Sequence, residues 1–321
     1  MTLQEQIRAN RWRTVLVYVL FALLAAALSV VLGLAFGTGF LFFFGALSIV
    51  YGVVSWYAAG RVIAAAAGAT KVDPKDYPEA WGALETVAIG AGLPRTPPLY
   101  IIHDPAPNAF AAGRDPEHAY VAVTTGLLDT MPRRELEGVL AHEVSHIRNR
   151  DVRLMSLAAV LVGVIALVSD LVLRLTLFGG TNRDRRDGGG NAFILIGVLA
   201  AAILAPIAAT LLQFSLSRRR EYLADASAAE VTGDAEGMAL ALKRLEEDTK
   251  VTTRISNATA HLYIESPTNQ RGHQFLAGLW NTHPSLQSRI ERLEQAGGFT
   301  LPEQLTERAP VGSRPLGSGD S

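Results

Sequence analysis

Hydrophobic and polar positions divide this chain into apolar runs and amphipathic stretches. From Thr14 to Gly60 no residue is charged, and at 1.5 Å per residue such a run makes about 70 Å of helix, enough to cross a bilayer core of about 30 Å twice. Gly37-Thr38-Gly39 supplies a turn, so the pattern predicts a hairpin of spans at about 14–36 and 40–60. A cleaved signal peptide is the competing reading, given the basic residues in 1–13 and the run Ala25 to Ala27. Its apolar core would measure only about 7 to 15 residues, and the longer run here argues for retained spans. Asn191 to Phe214 is also uncharged and long enough to span, with a Pro206 of the kind that membrane helices tolerate. Leu154 to Phe178 is interrupted by Asp170 and Arg174, and its uncharged core, 154–169, is short for a crossing. It is read as the partner span of a second hairpin, with a buried soluble helix or a re-entrant segment as the alternative.

The remaining stretches alternate polar and apolar residues. Tyr77 to Gly92 predicts an amphipathic helix, and Pro97 to Ile102, Asn108 to Ala112 and Ala119 to Thr124 predict short strands bounded by Pro, Asn, Asp and Gly. A helix then starts near Met131-Pro132, with Thr130 as its expected N-cap. Beyond the second hairpin, Arg218 to Val231, Ala235 to Asp248 and Ser285 to Gln295 predict three more helices, and 299–321 reads as a disordered tail. The predicted fold class is a mainly α membrane protein with about four transmembrane helices and an α+β domain containing a small sheet. That domain is split into residues 72–150 and 215–298 by the second hairpin.

Charge and composition refine this picture. The first hairpin is flanked by Arg8, Arg11 and Arg13 at one end and by Arg61, Lys71 and Lys75 at the other, which places both ends on the cytoplasmic side. In the second hairpin, Arg183, Arg185 and Arg186 in the loop oppose Arg218, Arg219 and Arg220 after it. With 49% hydrophobic and 18% charged residues, the composition suits a membrane class. A net charge of −1 gives no basic excess for a nucleic-acid partner. The chain has no cysteine, so any metal must sit on His and carboxylate.

The candidate chemistry lies in His142-Glu143-Val144-Ser145-His146. Residues four apart on a helix project from one face, so both imidazoles can reach one ion while Glu143 points about 100° round. This is the H-E-x-x-H pattern of zinc peptidases, whose glutamate acts as base. A catalytic zinc takes three protein ligands. Glu221, on an Ala-rich helix with Asp225 one turn later, is the candidate third ligand, and Asp225 is the candidate acceptor for the outer N–H of a ligating histidine. The bland alternative is a charged, solvated helix end.

The combination of His142 to His146, the later Glu221-Tyr222-Leu223-Ala224-Asp225 and four apolar spans resembles the HtpX-type membrane zinc metallopeptidases, relatives of the CAAX prenyl proteases. The resemblance runs over nearly the whole chain. It implies a zincin-type cytoplasmic protease domain, one Zn²⁺ per subunit on His142, His146 and Glu221, and Glu143 as general base. Asn108, Ala109 and Phe110 resemble an edge strand that pairs with the substrate backbone. His283 and Arg289 match a C-terminal motif, with Arg289 expected to hold substrate or the developing oxyanion, or else to form only a surface ion pair. The implied setting is a bacterial inner membrane, and the implied substrates are polypeptides, chiefly membrane proteins.

Helical rise adds a position. His146 lies eight residues before Leu154 and Glu221 seven after Phe214, so continuous helices put the site about 10 to 12 Å from the hydrophobic boundary. Such a site suits quality control of membrane proteins, with access restricted by self-association into a homo-oligomer or by an occluding segment. A processing peptidase for lipidated or signal-derived peptides and a non-catalytic zinc sensor are the alternatives.

Overall fold

The computed structural model describes residues 37–160, 218–248, 264, 284–302, 305 and 309–312, with scattered positions between 8 and 30. The expected span 191–214, most of 154–178, and His283 lie outside the described residues.

The first continuous element is helix α1, Thr38–Ala67, which follows Gly37 at φ 101 and closes on Gly68 in the left-handed region at φ 65. It runs seven residues past the expected end at Gly60, because Ala59, Ile63, Ala64 and Ala67 pack onto the sheet below. Its earlier part leaves large apolar side chains exposed, Phe42, Phe43, Ile49, Val53 and Tyr57 among them, while Trp56 meets the Tyr18 ring. Among the described residues, α1 is the one helix long and apolar enough to cross a membrane.

The sheet has four strands, β1 (Thr70–Lys71), β2 (Leu99–Ile102), β3 (Ala109–Gly113) and β4 (Ala119–Thr124), in the order β1-β2-β4-β3. β2 and β4 are parallel and the other pairs antiparallel. Three of these strands stand where the alternation predicts them; β1 is too short to show a period. Side chains alternate between two cores, as a pleat requires. Leu99, Ile101, Ala109, Ala111, Val121 and Val123 face the helical layer. Ile102, Phe110, Ala112, Tyr120 and Ala122 face α1 and helical residues 151–160. The Tyr120 hydroxyl donates to Gly60 O at 2.9 Å, which fastens the end of α1 to the sheet.

The helical layer comprises α2 (Pro78–Gly90), α3 (Thr125–Thr130), α4 (Arg133–Arg148), α5 (Arg218–Thr232), α6 (Ala235–Glu247) and α7 (Leu286–Gly297). Thr130 does not cap α4. It ends α3, whose N-cap Thr124 accepts from Leu127 N–H, and Pro132 occupies the α4 N-cap without a side-chain bond. The short α3 reverses the chain between β4 and α4, a tertiary requirement with no periodic signature. α4 is buried along most of its length from Glu135 to Ile147. Gly138 lets α6 cross closely, since a Cβ there would lie 2.9 Å from Met238 Cα. Two ion-pair groups pin this crossing: Arg244 donates to both oxygens of the buried Glu135, and Arg134 bridges Asp234 and Glu236.

The expected disordered tail is corrected for its first part. Val311 N–H donates to Met131 O and Gly312 N–H to Leu128 O, while Phe299, Leu301 and Val311 pack against the core. Their apolar side chains, sparse among Gly and Pro, supply burial that average composition hides.

Candidate metal centre

Three helices meet at the polar cluster. His142, Glu143 and His146 come from α4, Glu221 and Asp225 from α5, and Arg289 from α7, and every one of these side chains is buried. The Nε2 atoms of His142 and His146 lie 3.2 Å apart. Glu221 places one carboxylate oxygen 3.5 Å from the first and the other 3.8 Å from the second. Zinc bonds to nitrogen and oxygen of about 2.0–2.1 Å at tetrahedral angles require ligand atoms about 3.3 Å apart. The observed spacings fit that edge closely, so the two Nε2 atoms and the Glu221 carboxylate could share one cation. The three donor atoms of His142, His146 and Glu221 all lie within 4.8 Å of one another.

A second tier of residues orients the imidazoles. His142 Nδ1 lies 2.9 Å from Asp225 Oδ1, and His146 Nδ1 lies 3.0 Å from Asp151 Oδ2. A carboxylate on Nδ1 fixes the tautomer that leaves Nε2 for a metal. Arg289 donates from Nε to Asp225 Oδ2 at 2.9 Å and from Nη2 to Oδ1 at 2.6 Å. Its Nη2 is also 3.2 Å from His142 Nδ1, and Nη1 donates to Ile264 O at 3.3 Å.

Burial sets the electrostatics. Desolvation works against an ionised Asp225, but Arg289 and His142 outweigh it and bring its pKa down to about 2. Burial and the Arg289 charge oppose a proton on His142, yet the Asp225 and Glu221 carboxylates prevail and raise its pKa to about 9. Glu143 is pushed up by burial, only partly offset by the two histidines, and its carboxylate accepts from Ala111 N–H.

β3 forms the wall beside Glu143. It is an edge strand, and Thr124 N–H donating to Asn108 O shows which of its groups face β4. By antiparallel alternation Asn108, Phe110 and Ala112 point their backbone groups at β4, and Ala109, Ala111 and Gly113 point theirs outward. Asn108 is further tied by its N–H to Thr124 Oγ1. The Phe110 side chain lies on the α1 side of the sheet, away from the histidines. Of the three edge residues expected to meet substrate, Ala109 therefore presents an outward carbonyl, while Phe110 presents neither backbone group nor side chain to the cluster.

Comparison with known proteins agrees with this geometry. The model of peptidase family M48 matches residues 78–296, from the start of α2 to the last turn of α7. The chain belongs to peptidase family M48. Among its M48 relatives, a protein named "Protease HtpX homolog" from Tropheryma whipplei (strain Twist) is 41% identical over 291 residues, covering 91% of this chain and 97% of the relative. One of the same name from Listeria innocua is 43% identical over 302 residues, covering 90% and 98%. No solved structure gives a significant match. M48 membership makes this chain a protease, and its HtpX relatives together with the long apolar α1 support a membrane protein.

One site residue of this M48 chain, Asp151, escapes a reading by motif. Asp151 lies five residues beyond His146, too far for a helical face, but Arg150 at φ 60 turns the chain so that the carboxylate returns to the ring. The signal available in the sequence was an acidic residue just after the second histidine. Asp151→Ala is expected to weaken the affinity of this site for a metal ion about 10- to 100-fold, measured with added Zn²⁺ by competition with a chromophoric chelator.

The raised pKa of His142 also has a sign. The Asp225 and Glu221 carboxylates favour a proton on His142, and a metal binding at Nε2 would compete with it. Metal uptake is expected to release protons, with affinity falling as pH drops, since the raised pKa makes the proton a competitor for His142. Calorimetry in buffers of different ionisation enthalpy measures the release, and zero release would contradict the arrangement.

Proposed function

We propose that this protein is a zinc-dependent endopeptidase that hydrolyses peptide bonds of misfolded or damaged membrane proteins at the cytoplasmic face of a bacterial inner membrane. The convergence of His142, His146 and Glu221 beside Glu143 is the observation that carries this reading. These three residues would hold the ion. Zinc in such a site supplies Lewis acidity, bringing a water pKa toward neutrality and polarising a carbonyl.

The chain's own residues supply the rest. Glu143, buried and raised in pKa, takes the proton of the attacking water and returns it to the leaving amine. Asp225 and Asp151 hold the two imidazoles, and Arg289 holds Asp225. An extended polypeptide pairing with the β3 edge would replace the bonds that Ala109 O and Ala111 N–H make to Ile264 N–H and Glu143, a mode that selects unfolded segments over folded domains. α1 supports a membrane-proximal site, since its end packs on the far face of the same sheet.

The test uses the full chain purified in detergent, loaded with zinc and incubated with unfolded casein. Cleavage is expected, lost on chelation and restored by zinc. Glu221→Ala is expected to hold far less than one zinc per chain. A zinc-loaded protein that cleaves nothing would refute the peptidase reading, and full zinc content in Glu221→Ala would refute the ligand assignment.

A further inference from the structure

A second polar feature lies on the α1 side of the sheet. A cavity of about 430 Å³ opens where the end of α1 meets the loop before β2 and the turn from β3 to β4, and Arg61, Arg95, Arg114, His118, Tyr57 and Tyr100 are among the residues that line it. That volume is in the range of small-ligand sites. No carboxylate lines it among the described residues. The acid tied to its walls is Asp115, which takes Arg114 Nε at 3.3 Å and His118 Nδ1 at 2.7 Å. Arg61 and Arg95 are exposed and make no ion pair among the described residues. Three guanidinium groups thus stand against one carboxylate.

Depth along α1 says what reaches this cavity. Large apolar side chains are exposed from Phe42 to Tyr57, a rise of about 22 Å, and Arg61 is the first charged residue of the helix. Trp56 and Tyr57 stand at the end of that stretch, where rings mark the edge of a bilayer. Each carries an arginine: Arg153 lies 3.6 Å from the Trp56 ring centre and Arg114 lies 5.2 Å from that of Tyr57. Arg61 follows one turn later, about 6 Å along the axis. The headgroup layer outside the hydrocarbon core is about 5 to 8 Å thick on each side, so with α1 in a bilayer the cavity opens at the depth of the lipid phosphates.

We propose that this cavity binds the phosphate headgroup of an anionic phospholipid, whose acyl chains lie along the exposed apolar side of α1. The inference rests on α1 lying in a bilayer and is independent of the peptidase reading. A guanidinium presents paired N–H donors that match phosphate oxygens, and basic pockets beside membrane helices take anionic headgroups for that reason. The Tyr100 hydroxyl, which has no hydrogen-bond partner among the described residues, is a further donor. A zwitterionic lipid fits less well. Its ammonium meets no carboxylate on the cavity wall, and the Trp56 and Tyr57 rings that would hold it already carry arginines. Free phosphate leaves the apolar surface of α1 unused.

The experiment uses the full chain purified in a nonionic detergent and titrated with short-chain phosphatidylglycerol, or with phosphatidylcholine of the same chain length, the bound lipid being counted by native mass spectrometry. Phosphatidylglycerol is expected to bind roughly 25-fold more tightly, since two excess cations contribute about fivefold each. Arg61→Gln and Arg95→Gln are each expected to weaken it roughly fivefold and the double variant roughly 25-fold, while Arg61→Lys with Arg95→Lys retains most of it. Both positions are exposed, so the fold is expected to hold, and Tm is measured on each variant. Arg133→Gln removes the same charge from the first turn of α4, outside the cavity, and is expected to leave phosphatidylglycerol binding unchanged. Inorganic phosphate in excess is expected not to displace the lipid.

Equal binding of the two lipids by the unchanged protein would overturn the inference, as would undiminished phosphatidylglycerol binding by the double glutamine variant. An equal loss in Arg133→Gln would also overturn it, leaving net charge in place of a site. Displacement by inorganic phosphate would overturn the lipid assignment and make the cavity a site for a soluble phosphate. None of these outcomes bears on the peptidase reading, which casein cleavage tests separately.

Discussion

Glu143→Gln is expected to lower kcat on an unfolded substrate by about 10²- to 10⁴-fold, the range a positioned general base contributes. The amide keeps the shape of the carboxylate and can still accept from Ala111 N–H. What it loses is the capacity to take a proton from water. The proposed ligands His142, His146 and Glu221 are untouched, so metal content is expected to stay at that of the unchanged protein. Stability is expected to hold or rise, because burial disfavours the charged form that the substitution removes. The measurements are single-turnover rates, metal analysis and Tm on the same preparations. Cleavage at an undiminished rate would remove Glu143 from the mechanism.

Arg289→Ala carries the second large effect, on stability as well as activity. The guanidinium is fully buried and makes two bonds to the buried Asp225. Truncation leaves that carboxylate without its cation, a change that costs about 3–5 kcal/mol in buried pairs. A fall in Tm of roughly 10 °C is expected in the zinc-free protein. Arg289→Lys is expected to recover part of the loss, since an ammonium keeps the charge but not the paired donors. The double change Asp225→Asn, Arg289→Met separates support from orientation. Removing both charges is expected to restore most of the Tm, while zinc affinity stays low because His142 lacks its anionic acceptor. Recovery of zinc affinity in the double variant would show that Arg289 and Asp225 contribute packing alone.

The ion-pair alternative for Arg289, a contact at the surface, is overturned by its complete burial. A helix reading of Ser285 to Gln295 finds the element but not its buried face, because the partner Asp225 is 64 positions away in sequence. The same distance problem hides Ile264, whose N–H finds Ala109 through tertiary packing and leaves no mark in any local pattern. Phe110 illustrates the reverse case. Motif resemblance groups it with Asn108 and Ala109, but the pleat sends alternate residues to opposite faces, so its ring meets Tyr120 beneath α1.

The amino-acid sequence by itself determined the donor types and the grip: two histidines one helical turn apart with a carboxylate beside them, in a chain without cysteine. It also determined the long apolar run that becomes α1 and the strand periods of β2, β3 and β4, because these depend only on short-range geometry that repeats along the backbone. The sequence offered Glu221, Asp225 and Arg289 as candidates, but only the tertiary structure decided which partner each one meets. Asp225 stands 83 positions from His142, and Arg289 stands 147. Asp151 is near in sequence but reaches His146 only through the left-handed turn at Arg150. Such partners are selected by the way three helices and a sheet edge pack around buried charge, where an unpaired group is too costly to leave. That packing is a property of the whole fold, and no local pattern encodes it.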